Sequence, residues 1–126
     1  AKTNEIMEMP AEQRREMARG KTLGYLFFEP STRTRLSFQS AMALIGGTSF
    51  GIADATSSSV QKGESLADTV RIMAGYTDAI VLRHSLDGSS KFAAEVSDKP
   101  LINAGSGTEE HPTQAIQEMY TIQKEL

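Results

Sequence analysis

The chain has 126 residues, which suits one compact domain, and its 39% hydrophobic and 23% charged residues are ordinary for a globular protein. It contains no cysteine, which excludes a disulfide framework and a cysteine-ligated metal, and its net charge of −3 gives no indication of a nucleic-acid partner. No apolar segment approaches membrane-spanning length and the N-terminus is not a signal peptide, so we expect a cytoplasmic protein that needs no membrane.

The first segment, residues 1–20, is mostly polar. Pro10 and the two residues after it are typical of the first turn of a short helix, and Gly20 predicts its end. The chain opens without an initiator methionine, and we expect it to be truncated at its N-terminus.

A strand and a helix are predicted on either side of a polar turn. The apolar run at residues 21–28 predicts a buried strand, which Pro30 ends because proline cannot continue a central strand. A helix is predicted over about 32–46, since apolar side chains recur there at helical spacing. These side chains are Leu36, Phe38, Ala41, Met42 and Ile45.

The turn between them, S-T-R-T, has the composition of an anion site. Ser31 and Thr32 are good N-cap residues, and the free N–H groups at a helix start bind anions. Arg33 adds a planar fork suited to phosphate or carboxylate oxygens. If S-T-R-T stood alone, the better interpretation would be that its hydroxyls only cap the helix. Arg33 and Arg35 would then be solvated. Between a buried strand and an amphipathic helix, we favour the anion site.

Strands and helices alternate through the rest of the chain. Strands are predicted at 48–53, 78–83 and 100–104, and helices at 64–76, 91–96 and 111–124, with a serine-rich loop at 54–63. This alternation predicts an α/β fold, a doubly wound three-layer α/β/α domain around a parallel four-stranded sheet. Ligands of such sheets bind beyond the carboxyl ends of the strands, so we expect the loops there to form one site.

Those loops carry an arginine, two histidines and a glutamine. Arg83 ends an apolar strand, and a salt bridge to a carboxylate such as Asp87 explains it equally well. His84 is better explained as a residue that shapes the turn. His111, at a helix start, is expected to stay neutral near pH 7 and to polarise a carbonyl. Gln114 lies one helical turn further on, where it can face the same ligand.

Two other features point away from additional chemistry. Two histidines so far apart, without other clustered ligands, predict no metal site, and we expect no cofactor. Lys62 follows the serine run, and composition alone predicts a solvated lysine there.

The assembled motifs resemble the carbamoyl-phosphate domain of the aspartate carbamoyltransferase family. The matching segments are FFEPSTRTRLSF at 27–38, SSVQKGESLADTVR at 58–71, DAIVLRH at 78–84 and INAG…HPTQ at 102–114. S-T-R-T-R is shared with ornithine carbamoyltransferases. H-P-T-Q, where those enzymes typically have cysteine in place of Thr113, together with Q-K-G-E-S-L and L-R-H, indicates the aspartate branch. Two segments depart from the family pattern, Glu109-Glu110 and residues 85–90.

The resemblance implies that carbamoyl phosphate binds at the S-T-R-T turn. The residues implied to hold its phosphate are Ser31, Thr32, Arg33 and Thr34. The residues implied to surround its carbonyl oxygen, where negative charge develops, are Thr34, Arg83 and His111. Gln114 would bind its amino group. The catalytic residues implied are thus Arg33, Thr34, Arg83 and His111.

The resemblance also implies partners. Ser58 and Lys62 would reach the active site of the neighbouring subunit in a homotrimer, and regulatory chains are left open. A second domain, absent from residues 1–126, would bind L-aspartate, so the chain alone is expected to be inactive. The whole enzyme would form N-carbamoyl-L-aspartate and phosphate for pyrimidine biosynthesis. The alternatives are an ornithine-type or other carbamoyltransferase, and a non-catalytic fragment that binds anions or trimerises.

Overall fold

The computed structural model describes residues 2–53, 65–108 and 111–125 of the chain. The strands are β1 (Thr22–Phe27), β2 (Thr48–Ile52), β3 (Ala79–His84) and β4 (Leu101–Ser106). The helices are α1 (Lys2–Glu8), α2 (Ala11–Glu16), α3 (Thr32–Leu44), α4 (Leu66–Tyr76), α5 (Ser89–Val96) and α6 (Pro112–Glu125). No helix in these ranges is long and apolar enough to cross a membrane.

The four strands form one parallel sheet in the order β2-β1-β3-β4. The first strand, β1, lies inside the sheet, β2 lies at one edge, and β3 and β4 follow on the other side of β1. This is the doubly wound arrangement predicted from the sequence. Because all pairings are parallel, the carboxyl ends of the strands lie at one edge. The predicted α/β fold is confirmed.

Each face of the sheet is covered by its own apolar cluster. Alternate side chains of β1 and β3 point to opposite faces, as strand geometry requires. One cluster includes Leu26 and Leu82 and packs against Val70 of α4 and Ala93 of α5. The other includes Phe27 and packs against α3 through partly buried apolar side chains, among them Phe38 and Met42.

Helix α4 lies unusually close to β1 because residue 24 has no side chain. A Cβ at Gly24 would lie 2.5 Å from Met73 Sδ and 2.9 Å from Thr77 Cγ2. Both distances are shorter than real Cβ contacts, so any side chain at this position would force the side chains of Met73 and Thr77 to shift. The inner face predicted for α4 is confirmed, with Val70, Met73 and Ala74 buried.

Several predicted boundaries were wrong. Helix α5 begins at Ser89 rather than at residue 91, because Gly88 at φ +78° turns the chain into it and Ser89 is buried. Strand β4 continues to Ser106, two residues beyond the prediction, as its end pairs with β3. Helix α1 was not predicted, since its sequence has no apolar face.

Helices α3 and α6, which lie nearest the predicted site, bury fewer of their apolar side chains than the sequence pattern predicted. Leu36 and Ala41 of α3 are exposed, so the face of this helix that packs on the sheet is narrower than predicted. On α6, Ile116, Met119 and Ile122 are all more than half exposed. Helix α3 packs on the sheet through partly buried side chains, among them Phe38 and Met42.

Candidate active site

The S-T-R-T turn places the start of α3 directly after β1. Ser31 occupies the N-cap position predicted for it, and its side chain makes no capping hydrogen bond. The first helical bond runs from Arg35 N–H to Ser31 O at 3.2 Å. The N–H groups of residues 32–34 precede that bond, and a helix start offers such groups to an external acceptor together with the positive end of its dipole.

Arg83 is bound by three groups at the end of β3. Its Nε donates to Glu29 Oε2 at 3.2 Å, and its Nη1 donates to Ala104 O at 3.4 Å. The same Nη1 lies 2.7 Å from His111 Nε2. The ion pair predicted as an alternative exists, but its carboxylate is Glu29 and not Asp87. Asp87 instead accepts a hydrogen bond from Thr108 N–H at 3.0 Å.

His111 is oriented by the first turn of α6. Its Nδ1 lies 3.3 Å from Gln114 N and accepts that N–H, so the ring acts as the cap of its own helix. Its Nε2 lies 2.7 Å from Arg83 Nη1. A neutral imidazole has one acceptor and one donor nitrogen, so a ring that accepts at Nδ1 carries its N–H at Nε2. Gly105, at φ +131°, lies beside both side chains, since a Cβ there would be 3.5 Å from Arg83 Cγ and from His111 Cδ2, and its backbone conformation is one that other residues rarely adopt.

A cavity of about 760 Å³ opens between these elements. It is lined by Pro30, Ser31, Thr32, Arg33, Thr34, Ser37, Arg83, His111, Gln114 and Gln117. The structure therefore brings together every site residue that the sequence predicted for this chain's own site. Ser58 and Lys62 lie outside the described residues.

Four residues at the site were not predicted as site residues: Pro30, Ser37 and Gln117 of the cavity lining, and Glu29 beside it. Ser37 and Gln117 line the cavity one helical turn beyond Thr34 and Gln114, so helical periodicity could have indicated both. Glu29, the partner of Arg83, belongs to a different loop 54 positions away in the sequence. No local pattern identifies such a pairing.

Gln114 reaches the cavity, but its carboxamide has a partner on its own helix. Its Nε2 donates to Glu118 Oε1 at 3.2 Å, one turn along α6. The bond is exposed, and a bound ligand can replace it at little cost because exposed hydrogen bonds exchange readily with water.

His84 lies beside the site rather than in the cavity lining. Its Nδ1 accepts Leu86 N–H at 3.1 Å, which agrees with the turn-shaping role predicted for it. Its ring meets Phe28 edge-on, with centroids 5.2 Å apart. Burial lowers the pKa of His84 below 6.5, and the nearby Glu29 carboxylate opposes that shift.

The site has no arrangement of metal-binding side chains in the part of the chain that the structure describes. No group of three or more histidine, cysteine, aspartate or glutamate residues could hold an ion there. The cavity instead combines two guanidinium groups, helix-start N–H groups, hydroxyls and carboxamides. Such a donor set fits a small anion that also carries neutral polar groups.

The matching family model describes the aspartate/ornithine carbamoyltransferase carbamoyl-phosphate-binding domain, over residues 1–124. The chain belongs to this family. The carbamoyltransferase resemblance found in the sequence is thus confirmed, and it extends to named relatives. The chain is 73% identical over 123 residues to the aspartate carbamoyltransferase catalytic subunit of Cenarchaeum symbiosum, covering 98% of the chain and 40% of that relative. For the Nitrosopumilus maritimus subunit the identity is 74%, with the same coverage.

Solved structures of carbamoyltransferases agree with the fold. The catalytic subunit of M. jannaschii aspartate transcarbamoylase matches with a TM-score of 0.88 and 48% identity, over 98% of this chain and 40% of that one. The Trypanosoma cruzi enzyme in complex with carbamoyl phosphate matches with a TM-score of 0.83 and 41% identity, over 88% and 36%. This carbamoyltransferase chain therefore spans about 40% of the length of its curated relatives.

Proposed function

We propose that this chain binds carbamoyl phosphate and forms the corresponding half of an aspartate carbamoyltransferase. The observation that carries the proposal is that the start of α3, Arg83 and His111 all line the same cavity. Sequence identity of 73% to one catalytic subunit supports the aspartate branch. The proposal includes a second domain that binds L-aspartate, as expected from the sequence. It agrees with the match to that relative, of which the chain covers 40%.

In this proposal the phosphate binds at the helix start. Its donors are the first N–H groups of α3 and the hydroxyls of Ser31, Thr32 and Thr34. Arg33, in the same turn, adds a positive charge to the positive end of the helix dipole. Charge-assisted hydrogen bonds of this kind are stronger than neutral ones. The binding needs no metal, because the helix dipole and the guanidinium groups balance the charge of the phosphate.

The carbonyl oxygen of the carbamoyl group would lie between Arg83 and His111. These donors approach to 2.7 Å, so a ligand oxygen that separates them slightly is within reach of both, with the Thr34 hydroxyl nearby. When the aspartate amine attacks the carbamoyl carbon, negative charge collects on this oxygen and phosphate leaves. Donors already placed there stabilise the tetrahedral intermediate more than the substrate. Gln114 would bind the carbamoyl amino group.

The proposed assembly is a homotrimer in the cytoplasm, with Ser58 and Lys62 contributed to the neighbouring subunit's site. This part of the proposal is supported by the family resemblance of the segment at 58–71. The rival reading, an ornithine carbamoyltransferase, is disfavoured by Thr113 in the H-P-T-Q motif. The role of regulatory chains stays open in this proposal.

The binding step is tested by titrating the chain with carbamoyl phosphate, and separately with inorganic phosphate, while recording backbone amide NMR spectra. We expect shifts at residues 31–35, with smaller ones near Arg83 and His111, and weaker binding at high salt. Arg33→Ala should weaken binding, whereas Arg71→Ala, on the exposed surface of α4, should not. Unchanged amides at residues 31–35 in the folded chain would contradict the proposed site.

The transfer step is tested with the chain joined to its aspartate-binding domain. With labelled carbamoyl phosphate and L-aspartate, we expect labelled carbamoyl-aspartate. With labelled carbamoyl phosphate and L-ornithine, we expect no labelled product. Labelled citrulline would favour the ornithine reading. The chain without the second domain should bind carbamoyl phosphate and give no product with either amino acid.

A further inference from the structure

Two loops at the carboxyl edge of the sheet are joined by bonds that use none of the proposed substrate-binding side chains. The first loop follows β3 and leads into α5, and the second follows β4 and leads to His111. Gly107 N–H donates to His84 O at 2.8 Å, and Thr108 N–H donates to Asp87 Oδ1 at 3.0 Å. Below them, the buried Ser106 Oγ donates to Ser90 Oγ at 2.6 Å.

The second loop rests directly on the Asp87 carboxylate. Gly107 has φ +56°, and a Cβ at this position would overlap Asp87 Oδ1 and lie 2.8 Å from Asp87 N. Both the backbone conformation and the lack of space therefore require glycine. Contact this close, together with the Thr108 bond, distinguishes Asp87 from a carboxylate that merely projects into solvent.

The first loop is itself fixed, so that Asp87 has a defined position. Leu86 N–H donates to His84 Nδ1 at 3.1 Å, and Ser89 Oγ donates to Leu86 O at 2.7 Å. Gly88, at φ +78°, then turns the chain into α5. Asp87 is thus bound on both sides by its own loop while its side chain reaches the other loop.

These contacts connect the two residues proposed to bind the carbonyl oxygen. Arg83 lies at the end of β3, immediately before the first loop, and His111 lies three residues beyond Thr108. Gly107 and Thr108, which the Asp87 carboxylate contacts, follow closely on Gly105, whose backbone lies beside both Arg83 and His111. We propose that Asp87 is a positioning residue for carbamoyl transfer, because it fixes this end of β4 and so sets the separation of His111 from Arg83. The expected effect of Asp87 on catalysis rests on the proposed function, whereas its expected effect on the position of His111 does not.

The structural part is tested on the ligand-free chain by NMR of the Thr108 amide and the His111 imidazole. In Asp87→Ala, we expect faster hydrogen exchange at Thr108 and shifted or broadened His111 ring signals, because the loop has lost its acceptor. Asp87→Asn keeps an oxygen acceptor and should leave both signals close to their original positions. Asp98→Ala is the matched control, since Asp98 is exposed at the opposite end of β4.

The catalytic part is tested with the same variants joined to the aspartate-binding domain. Asp87→Ala should lower kcat about tenfold to 100-fold, since displacement of a catalytic group by roughly 1 Å has an effect of that order. The KM for carbamoyl phosphate should change little, because the phosphate binds at α3. Asp87→Asn should recover most of the kcat.

Two results would overturn the proposal. One is an Asp87→Ala variant with unchanged His111 signals and unchanged kcat, and the other is an Asp87→Asn variant as impaired as Asp87→Ala. If Asp87→Ala does not fold, Asp87→Glu replaces it, since it keeps the charge but moves the acceptor by one methylene and should still shift the His111 signals. Absence of carbamoyl transfer in every variant would refute the proposed function alone, because the His111 signals are measured without substrate.

Discussion

Arg83 and Glu29 form a partly buried ion pair, with their side chains 22% and 29% exposed. A pair this sheltered is screened less by salt than a surface pair, and it fixes the guanidinium plane. The remaining N–H groups of Arg83 can then face the cavity without reorganising during the reaction. Fixed donors of this kind are what electrostatic stabilisation of an oxyanion needs.

Replacing Arg83 tests this at the level of one side chain. In the complete enzyme, Arg83→Ala should lower kcat about 100-fold to 1000-fold, the usual loss for one oxyanion donor, which corresponds to about 3 kcal/mol. Binding of phosphate should weaken much less, because α3 supplies its main donors. Steady-state kinetics and a phosphate titration measure the two effects, and Arg71→Ala on the exposed surface of α4 is the control. Near-normal kcat in Arg83→Ala would remove this residue from the mechanism.

His84 makes the stability of the chain depend on pH. Burial lowers its pKa in the folded state, so the folded protein disfavours the charged ring that the unfolded chain accepts near pH 6.5. The unfolded state therefore binds more protons in the window below about pH 6.5, and stability falls as the pH drops through it. Above that window the contribution of His84 is fully present.

A glutamine at position 84 should flatten this dependence. His84→Gln keeps a side-chain oxygen that can accept Leu86 N–H but has no proton to gain. The free energy of unfolding, measured in urea at neutral pH and at a mildly acidic pH, should fall less in the variant than in the original chain. Equal losses in both proteins would show that groups other than His84 govern the loss of stability at acidic pH.

At the scale of single elements, the sequence predicted what depends on local pattern. The apolar run of β1, the proline after it and the helical spacing of α3 are all local, and the strand–turn–helix they predict is present. The start of α5 was missed because it depends on burial of two polar residues, Ser89 and Ser90, and Ser90 accepts a hydrogen bond from Ser106 at the distant end of β4. Ser31 takes the N-cap position that the local pattern predicts, although its hydroxyl makes no capping hydrogen bond.

The packing of α4 on β1 offers a paired test with two glycines. Gly24→Ala should destabilise the chain by about 1–3 kcal/mol, because its Cβ would lie 2.5 Å from Met73 Sδ and 2.9 Å from Thr77 Cγ2, so that both side chains must shift. Gly75→Ala, in α4 itself with no atom near its Cβ, should stabilise it by about 0.5–1 kcal/mol. Urea unfolding of both variants gives the comparison. Opposite signs support the close approach of helix and strand, whereas a neutral Gly24→Ala would contradict it.

At the scale of the whole molecule, the position of the site followed from topology alone. A parallel sheet that winds outward from its centre brings the ends of β1, β3 and β4 together, so residues far apart in sequence meet in one cavity. The sequence could not predict which carboxylate pairs with Arg83, nor the bonds between the two loops at that edge. Those depend on distances of a few ångströms between separate segments, which no local pattern encodes.

The proposed trimer predicts complementation between two inactive variants of the complete enzyme. Lys62→Ala removes the residue that a subunit would contribute to its neighbour, and His111→Ala removes one from its own site. Mixed trimers of the two contain sites in which both residues are intact, so mixing should restore part of the activity that each variant lacks. Refolding the variants together, checking the mixture by native mass spectrometry and assaying carbamoyl-aspartate measures this. Arg33→Ala mixed with His111→Ala is the control: both changes damage the same subunit's site, so a mixed trimer gains no restored site from pairing them. Verified mixed trimers of the Lys62 and His111 variants without activity would place Lys62 in its own subunit's site.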